Sequence, residues 1–140
     1  MIFVDSNIPM YIIGKDHPRK VDSQRLVERF ASERRRLVTS GEVFQEILHR
    51  YIAADRRGEI ELAFHTLGGI VDNVFSVREE DVFAAKDLTH AHQQLSARDA
   101  LHAAVMRRNH IGEILSFDRG FDLLPWVVRI PGPVRPAPAG

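Results

Sequence analysis

The chain opens with Ile2-Phe3-Val4-Asp5-Ser6-Asn7, and this stretch decides the fold. Three consecutive β-favouring apolar residues without alternation predict a strand covered on both faces, as in the middle of a parallel sheet. The polar triplet marks the carboxyl end of that strand, where open α/β sheets bind their ligands. We therefore expect Asp5 at the edge of a cleft. The same triplet would equally suit the N-terminal cap of a following helix.

Short apolar strands and amphipathic helices alternate along the rest of the chain. Strands are predicted at residues 37–39, 71–77, 114–117 and 126–130, and helices lie between them, one of which is expected to end at Gly68-Gly69. Such alternation predicts βαβ crossovers and an α/β fold, a three-layer αβα domain with a four- or five-stranded parallel sheet. We expect one domain over residues 1–130 and a disordered tail over 131–140, which holds four prolines.

Bulk composition is that of an ordinary globular protein, with 44% hydrophobic and 27% charged residues in a chain of 140. The absence of Cys excludes disulfides and thiolate ligands and suits a cytoplasmic protein. No apolar run approaches the roughly 18 residues that span a bilayer, so we expect no membrane association. The formal net charge is zero, which gives no whole-protein argument for nucleic acid.

Four carboxylates fall at positions that this topology brings to one edge of the sheet. Asp5 and Asp118 each follow a buried strand directly, although Asp118 also suits the start of a turn. Asp99 lies in the first turn of a helix that begins at the same edge. Glu46 lies nearly two turns into the helix after the second strand. The sequence therefore predicts that these acids, distant along the chain, converge on one crevice.

Capping boxes offer a structural alternative for two acids. Asp99 has the box spacing to Ser96, and Glu42 has it to Thr39. For that reason we assign Glu42 to structure and Glu46 to the crevice, a choice that the sequence leaves open because the two lie one turn apart.

A convergent set of acids needs neutralisation. Two like charges about 4 Å apart repel by roughly 4 kcal/mol at an effective dielectric of 20, so either some acids are protonated or a cation lies among them. Oxygen ligands alone suit a hard ion, Mg²⁺ or Mn²⁺, and such ions promote phosphodiester hydrolysis. The histidines at positions 90, 92 and 102 have no convincing zinc spacing.

Four segments carry a family resemblance when taken together: FVDSN at 3–7, FQEIL at 44–48, SARDALH at 96–102 and ILSFDRGFD at 114–122. In this combination and order the chain resembles the PIN domain, and more narrowly the VapC toxins of prokaryotic toxin–antitoxin pairs. The resemblance implies a Mg²⁺-dependent endoribonuclease that cleaves structured RNA, such as tRNA or rRNA, by metal-activated water. It also implies a cognate antitoxin that occupies the cleft, and a homodimer or a toxin–antitoxin hetero-oligomer.

The resemblance also implies roles for individual residues. The acidic quartet of the family, which holds the metal and carries catalysis, corresponds here to Asp5, Glu46, Asp99 and Asp118. The hydroxyl residues beside the first and fourth acids correspond to Ser6 and Ser116, and Asn7 corresponds to a polar residue that supports the first acid. From its position alone we expect Arg119 to contact a phosphate. Asp122 is a possible fifth acid, for which a supporting or structural role is favoured.

Other functions fit the sequence less well. A phosphoacceptor receiver domain needs a Lys at the end of its last strand, and none follows Lys86. An Asp-x-Asp phosphatase needs a carboxylate at position 7, which is Asn7. Glycine-rich nucleotide loops are absent. The remaining alternative is a catalytically silent protein-binding module with a PIN-like fold.

Overall fold

A single parallel sheet forms the centre of the computed structural model, which describes residues 1–132. Its strands are β1 (Ile2–Val4), β2 (Leu37–Ser40), β3 (Asn73–Phe75), β4 (Glu113–Leu115) and β5 (Val128–Ile130). They lie in the order β3-β2-β1-β4-β5, and every neighbouring pair is parallel. The predicted α/β fold is confirmed, with five strands. β1 is central and completely buried, as its uninterrupted apolar run indicates.

Six α-helices connect the strands. They are α1 (Asn7–Ile13), α2 (Pro18–Ser32), α3 (Gly41–Ala53), α4 (Ile60–Ile70), α5 (Glu79–Ala91) and α6 (Ala97–Arg108). Helix α5 packs extensively against α6, and α1 contacts both α2 and α4. Two short 3₁₀ turns cover Arg57–Glu59 and Arg119–Leu123, the second directly after β4. Within residues 1–132, no helix has the length and apolar character needed to cross a membrane.

Helix α4 continues through Gly68 and Gly69, so the prediction that this pair ends the helix is wrong. Two glycines cost a helix about 2 kcal/mol relative to alanine. Ala63 and Leu67 are completely buried on α4, and Ile70 packs against the core. The tertiary contacts of the helix therefore outweigh the low helix propensity of glycine.

The two predicted capping boxes have different outcomes. Ser96 caps α6, because its Oγ accepts a hydrogen bond from the Asp99 N–H at 3.1 Å. The box between Thr39 and Glu42 is wrong, since the buried Thr39 Oγ1 instead donates to the Val4 carbonyl at 2.9 Å. Thr39 thus links β2 to β1, and Ser40 precedes α3. Helices α3 and α6 both begin at the carboxyl edge of the sheet.

The proline-rich tail predicted over residues 131–140 falls, from position 133 onward, outside the described residues. The domain boundary at residue 130 stays a prediction.

Candidate metal centre

The carboxyl edge of the sheet gathers the four predicted acids from four separate elements. Asp5 follows β1, Glu46 lies on α3, Asp99 lies in the first turn of α6, and Asp118 begins the 3₁₀ turn after β4. Asp5, Glu46 and Asp99 are only 3%, 4% and 7% exposed, and Asp118 is half-buried. Carboxylates are rarely buried to this extent unless they are paired or bind a metal.

Asp5 is fixed by hydrogen bonds on both carboxylate oxygens. The Ser6 N–H donates to Oδ1 at 2.7 Å, and Ser116 Oγ donates to Oδ2 at 2.6 Å. Asn7 Nδ2 lies 3.3 Å from both Asp5 Oδ2 and Ser116 Oγ. The pKa of Asp5 is raised, chiefly by burial, although these hydrogen bonds and His102 oppose the shift. The structure therefore places Ser6, Asn7 and Ser116 around the first acid.

Glu46 has the opposite electrostatic character. Its Oε2 accepts hydrogen bonds from Arg50 at 3.1 and 3.2 Å and lies 3.6 Å from Arg98, while Oε1 lies 3.2 Å from His102 Nε2. Burial raises the pKa of Glu46, but His102 and Arg50 lower it by more, so the net pKa is about 2. Glu42 lies outside the cluster, 3.7 Å from Arg98, with a side chain that is 23% exposed. The structure thus brings Glu46, and not Glu42, into the crevice.

Asp99 and Asp118 form a second pair of carboxyl groups, which face each other beside Gly120. Burial raises the pKa of Asp99 to about 8, together with a hydrogen bond to Asp118 and the charges of Asp118 and Asp5. Asp118 also accepts a hydrogen bond from the Gly120 N–H at 2.8 Å, as expected for a turn. A Cβ at Gly120 would lie 2.7 Å from Asp99 Oδ2 and 3.1 Å from Asp118 Oδ1. Glycine leaves room for both carboxylates at this position.

His102 belongs to the cluster, which the sequence analysis missed. Its ring is completely buried and packs near Phe3, with centroids 5.7 Å apart. Nε2 lies 3.8 Å from Asp5 Oδ1 as well as near Glu46, so the expectation of an all-oxygen cluster was incomplete. Burial lowers the pKa of His102, but the contact with Glu46 and the charges of Asp5 and Asp99 raise it overall. Its spacing of three residues from Asp99 on one helix was the available signal.

The last two predicted residues lie outside the cluster of acids. Asp122 accepts two hydrogen bonds from Arg129, at 2.9 and 3.0 Å, so it anchors β5. It does not join the cluster as a fifth acid. Arg119 is exposed beside Asp118 and, within the part of the chain that the structure describes, forms no ion pair. Its guanidinium group therefore keeps its charge available.

The residues present fit a hard divalent cation. Among residues 1–132, no Lys or Arg forms an ion pair with Asp5, Asp99 or Asp118. The buried Ser6 Oγ, next to Asp5, has no hydrogen-bond partner of good geometry within the same residues, although it lies near enough to Glu46 to help lower that pKa. Carboxylate and hydroxyl oxygens are the ligands that Mg²⁺ and Mn²⁺ prefer. A cation here would relieve both the acid repulsion and the unpaired hydroxyl.

Comparison with known proteins agrees with the fold. The family model of the PIN domain matches residues 2–127. Ribonuclease VapC13 of Mycobacterium tuberculosis is 52% identical over 130 residues, which cover 93% of this chain and 99% of that protein. A VapC ribonuclease of Mycobacterium bovis matches equally well. Ribonuclease VapC23 of Mycobacterium tuberculosis is 38% identical over 84% of this chain and 93% of its own length.

Solved structures share the same architecture. VapC20 of Mycobacterium tuberculosis, described as a toxin that cleaves the sarcin-ricin loop, superposes with a TM-score of 0.72 at 25% identity, over 91% of this chain and 97% of that one. VapBC2 of Rickettsia felis, bound to a promoter DNA fragment, gives 0.71 at 16% identity, over 92% and 97%.

Fold and site together define a nuclease of the PIN type. The chain belongs to the PIN domain family and, within it, to the VapC ribonucleases. It is therefore an RNA-hydrolysing enzyme and the toxin of a VapBC toxin–antitoxin pair.

Proposed function

We propose that this protein is a Mg²⁺-dependent endoribonuclease that cleaves structured RNA, with Mn²⁺ able to replace Mg²⁺. One observation supports this most directly: ligand atoms of the buried Asp5, Glu46 and His102 lie within 4.8 Å of one another, and Asp5, Asp99 and Asp118 have no Lys or Arg partner among residues 1–132. These acids, with Glu46, would hold the ion. When bound, such an ion lowers the pKa of coordinated water and stabilises charge on a phosphoryl oxygen.

The surrounding side chains orient the acids and set their protonation before a metal ion binds. Ser116 and the Ser6 N–H fix the rotamer of Asp5, so its carboxylate needs little reorganisation to bind a cation. Asp99 must give up the proton that it retains in the metal-free protein, since its pKa lies at about 8. Arg119, exposed beside Asp118, is the guanidinium that we propose contacts a substrate phosphate.

Membership of the family supports the proposed substrate and partners. VapC20, at 25% identity, is described as cleaving the sarcin-ricin loop, which makes a ribosomal RNA loop the first substrate to test and tRNA the second. We propose that a cognate antitoxin covers the crevice and that the toxin acts as a homodimer, or with its antitoxin as a hetero-oligomer. A cytoplasmic location is proposed because these RNA substrates are found there.

Replacement of single acids tests the proposed site. Asp5→Asn and Asp99→Asn should abolish cleavage of purified rRNA and tRNA in Mg²⁺ while reducing stability by no more than about 1–2 kcal/mol. Asp87→Asn is the matched control, since its side chain is 77% exposed on α5 and does not belong to the cluster of acids. Cleavage at the native rate by both site variants would refute the assignment.

Metal titration separates the enzyme from a silent binding module. Mg²⁺ or Mn²⁺ should raise the Tm of the native protein by mass action, and Asp5→Asn should remove most of that increase. An unchanged Tm at millimolar metal would favour the binding module.

A further inference from the structure

A cavity opens beside the acids, between the first turn of α2 and the 3₁₀ turn that follows β4. Arg19, Phe117, Arg119, Asp122, Arg129 and Pro131 contribute to its lining. We propose that this cavity, here called the Arg19 pocket, binds an unpaired nucleotide of the RNA next to the cleaved phosphate. The inference rests on the proposed ribonuclease function and deepens it by assigning a substrate subsite.

The location of the pocket follows from Phe117, which forms part of its wall. Phe117 lies between Ser116 and Asp118, so this wall is continuous in sequence with the cluster of acids. The Phe117 N–H also donates to Asn7 Oδ1 at 3.3 Å, and the Asn7 amide contacts Asp5. A chain of nucleotides that reaches Asp118 therefore passes directly beside the pocket.

Arg19 is held in place by aromatic rings and not by a carboxylate. Its guanidinium carbon lies 5.0 Å from the centroid of Phe117 and 5.7 Å from that of Tyr11, and Nη1 donates to Tyr11 Oη at 3.0 Å. Tyr11 and Phe117 contact each other edge to face at 5.5 Å. Within residues 1–132, no acid pairs with Arg19. The guanidinium plane is thus oriented while its charge stays available for a phosphate.

The charge balance of the pocket favours an anion. The charge of Arg129 is neutralised by its two hydrogen bonds to Asp122. Arg19 and Arg119 are both exposed and, over the described part of the chain, unpaired. Two available guanidinium groups beside a half-buried aromatic ring match a phosphate together with a base that stacks. This combination is typical of sites for single-stranded or looped RNA.

Binding measurements test the pocket directly. The Asp99→Asn protein, which should not cut RNA, is titrated with a pool of fluorescent RNA hairpins whose unpaired loops have random sequence, at several salt concentrations. Adding Arg19→Ala should weaken binding about tenfold and lower the salt slope by about one. Arg25→Ala on the same helix is the matched control, since it removes an equal charge from an exposed site outside the pocket lining. Equal affinity of the Arg19→Ala and Arg25→Ala proteins would overturn the proposal.

Two further measurements separate stacking from charge and locate the RNA. Arg19→Lys should keep the salt slope but lose part of the affinity, because lysine has no planar group to stack. With 4-thiouridine in the loops, ultraviolet crosslinking should give adducts on Tyr11 or Phe117, identified by mass spectrometry. Adducts confined to other residues would refute the subsite.

The failure of this inference and the failure of the proposed function give different results. If Arg19→Ala cleaves RNA with an unchanged KM while Asp99→Asn does not cleave, the subsite is wrong and the nuclease assignment stands. If Asp99→Asn cleaves at the native rate, the nuclease site is wrong, whatever Arg19→Ala does.

Discussion

His102 Nε2 lies 3.2 Å from Glu46 Oε1, and this contact joins α6 to α3 across 56 residues of sequence. The acids on the two sides of this contact have pKa values that are shifted in opposite directions. Glu46 is neutralised by His102 and Arg50 and has its pKa lowered to about 2. Asp99, in contrast, has its pKa raised to about 8 by burial and then by the contact with Asp118 and the charge of Asp5. A bound cation would therefore change the protonation of Asp99 far more than that of Glu46.

His102→Ala should destabilise the protein by about 2–4 kcal/mol. The substitution leaves a cavity among buried side chains and removes one partner of the buried Glu46 carboxylate. Urea denaturation measures the loss. His102→Gln can still donate a hydrogen bond, so it should be less destabilising. Equal losses in the two variants would show that the ring volume, and not the contact with Glu46, is what stabilises the fold.

The stability of the metal-free protein should fall as the pH rises from about 4 to about 8. Asp99 binds its proton more tightly when folded, because its pKa rises from 3.8 to about 8. Its contribution is complete below pH 3.8 and is lost as the pH rises through about 8. Asp99→Asn should flatten this dependence and, at pH 8 in EDTA, should be the more stable protein by up to a few kcal/mol. Parallel stability curves for the two proteins would contradict the prediction.

The Glu46 contact should produce the opposite dependence in acid. The pKa of Glu46 falls from 4.5 to about 2 on folding, so its stabilising contribution is present above pH 4.5 and is lost as the pH falls toward 2. Glu46→Gln should weaken this acid dependence in urea denaturation followed between pH 5 and about 2. An unchanged acid limb in this variant would mean that other carboxylates cause the acid unfolding.

Gly120→Ala should weaken metal binding and RNA cleavage without unfolding the protein. The added methyl would lie 2.7 Å from Asp99 Oδ2 and 3.1 Å from Asp118 Oδ1, so at least one carboxylate has to move. A misplaced ligand typically costs about tenfold or more in metal affinity. Gly112→Ala is the matched control, because its methyl would meet only the Trp126 carbonyl at an ordinary 3.5 Å. Calorimetric titration with Mn²⁺ compares the two, and equal affinities would contradict the prediction.

Asp122→Ala should reduce stability by about 1–3 kcal/mol yet keep the rise in Tm on adding Mg²⁺. The substitution leaves the mostly buried Arg129 guanidinium without its carboxylate, but it removes no member of the cluster of acids. Thermal denaturation with and without Mg²⁺ measures both effects. If Mg²⁺ no longer raised the Tm of the variant, Asp122 would have to be a metal ligand.

Local patterns in the sequence were sufficient for the framework of the protein. The apolar run of Ile2-Phe3-Val4 predicted a buried central strand, because only a strand covered on both faces lacks alternation. Strand and helix periodicities then predicted a parallel sheet, and the parallel sheet brought Asp5 and Asp118 to one edge. Ser96 predicted the start of α6 correctly because a cap involves only neighbouring residues.

Tertiary contacts decided what local patterns could not. Thr39 bonds to Val4 on another strand, and α4 tolerates Gly68 and Gly69 because its opposite face is buried. Spacing alone could not choose between Glu42 and Glu46, since both lie on α3; their burial and partners distinguish them.

The chemistry of the site shows the same division. The sequence by itself determined which acids reach the carboxyl edge of the sheet, because strand and helix geometry fixes where each element ends. Only the tertiary structure decided their protonation and their partners, because a pKa depends on burial and on charges that lie close in space while distant along the chain. For that reason the buried His102, and the orientation of Arg19 on Phe117, emerged only from the folded protein.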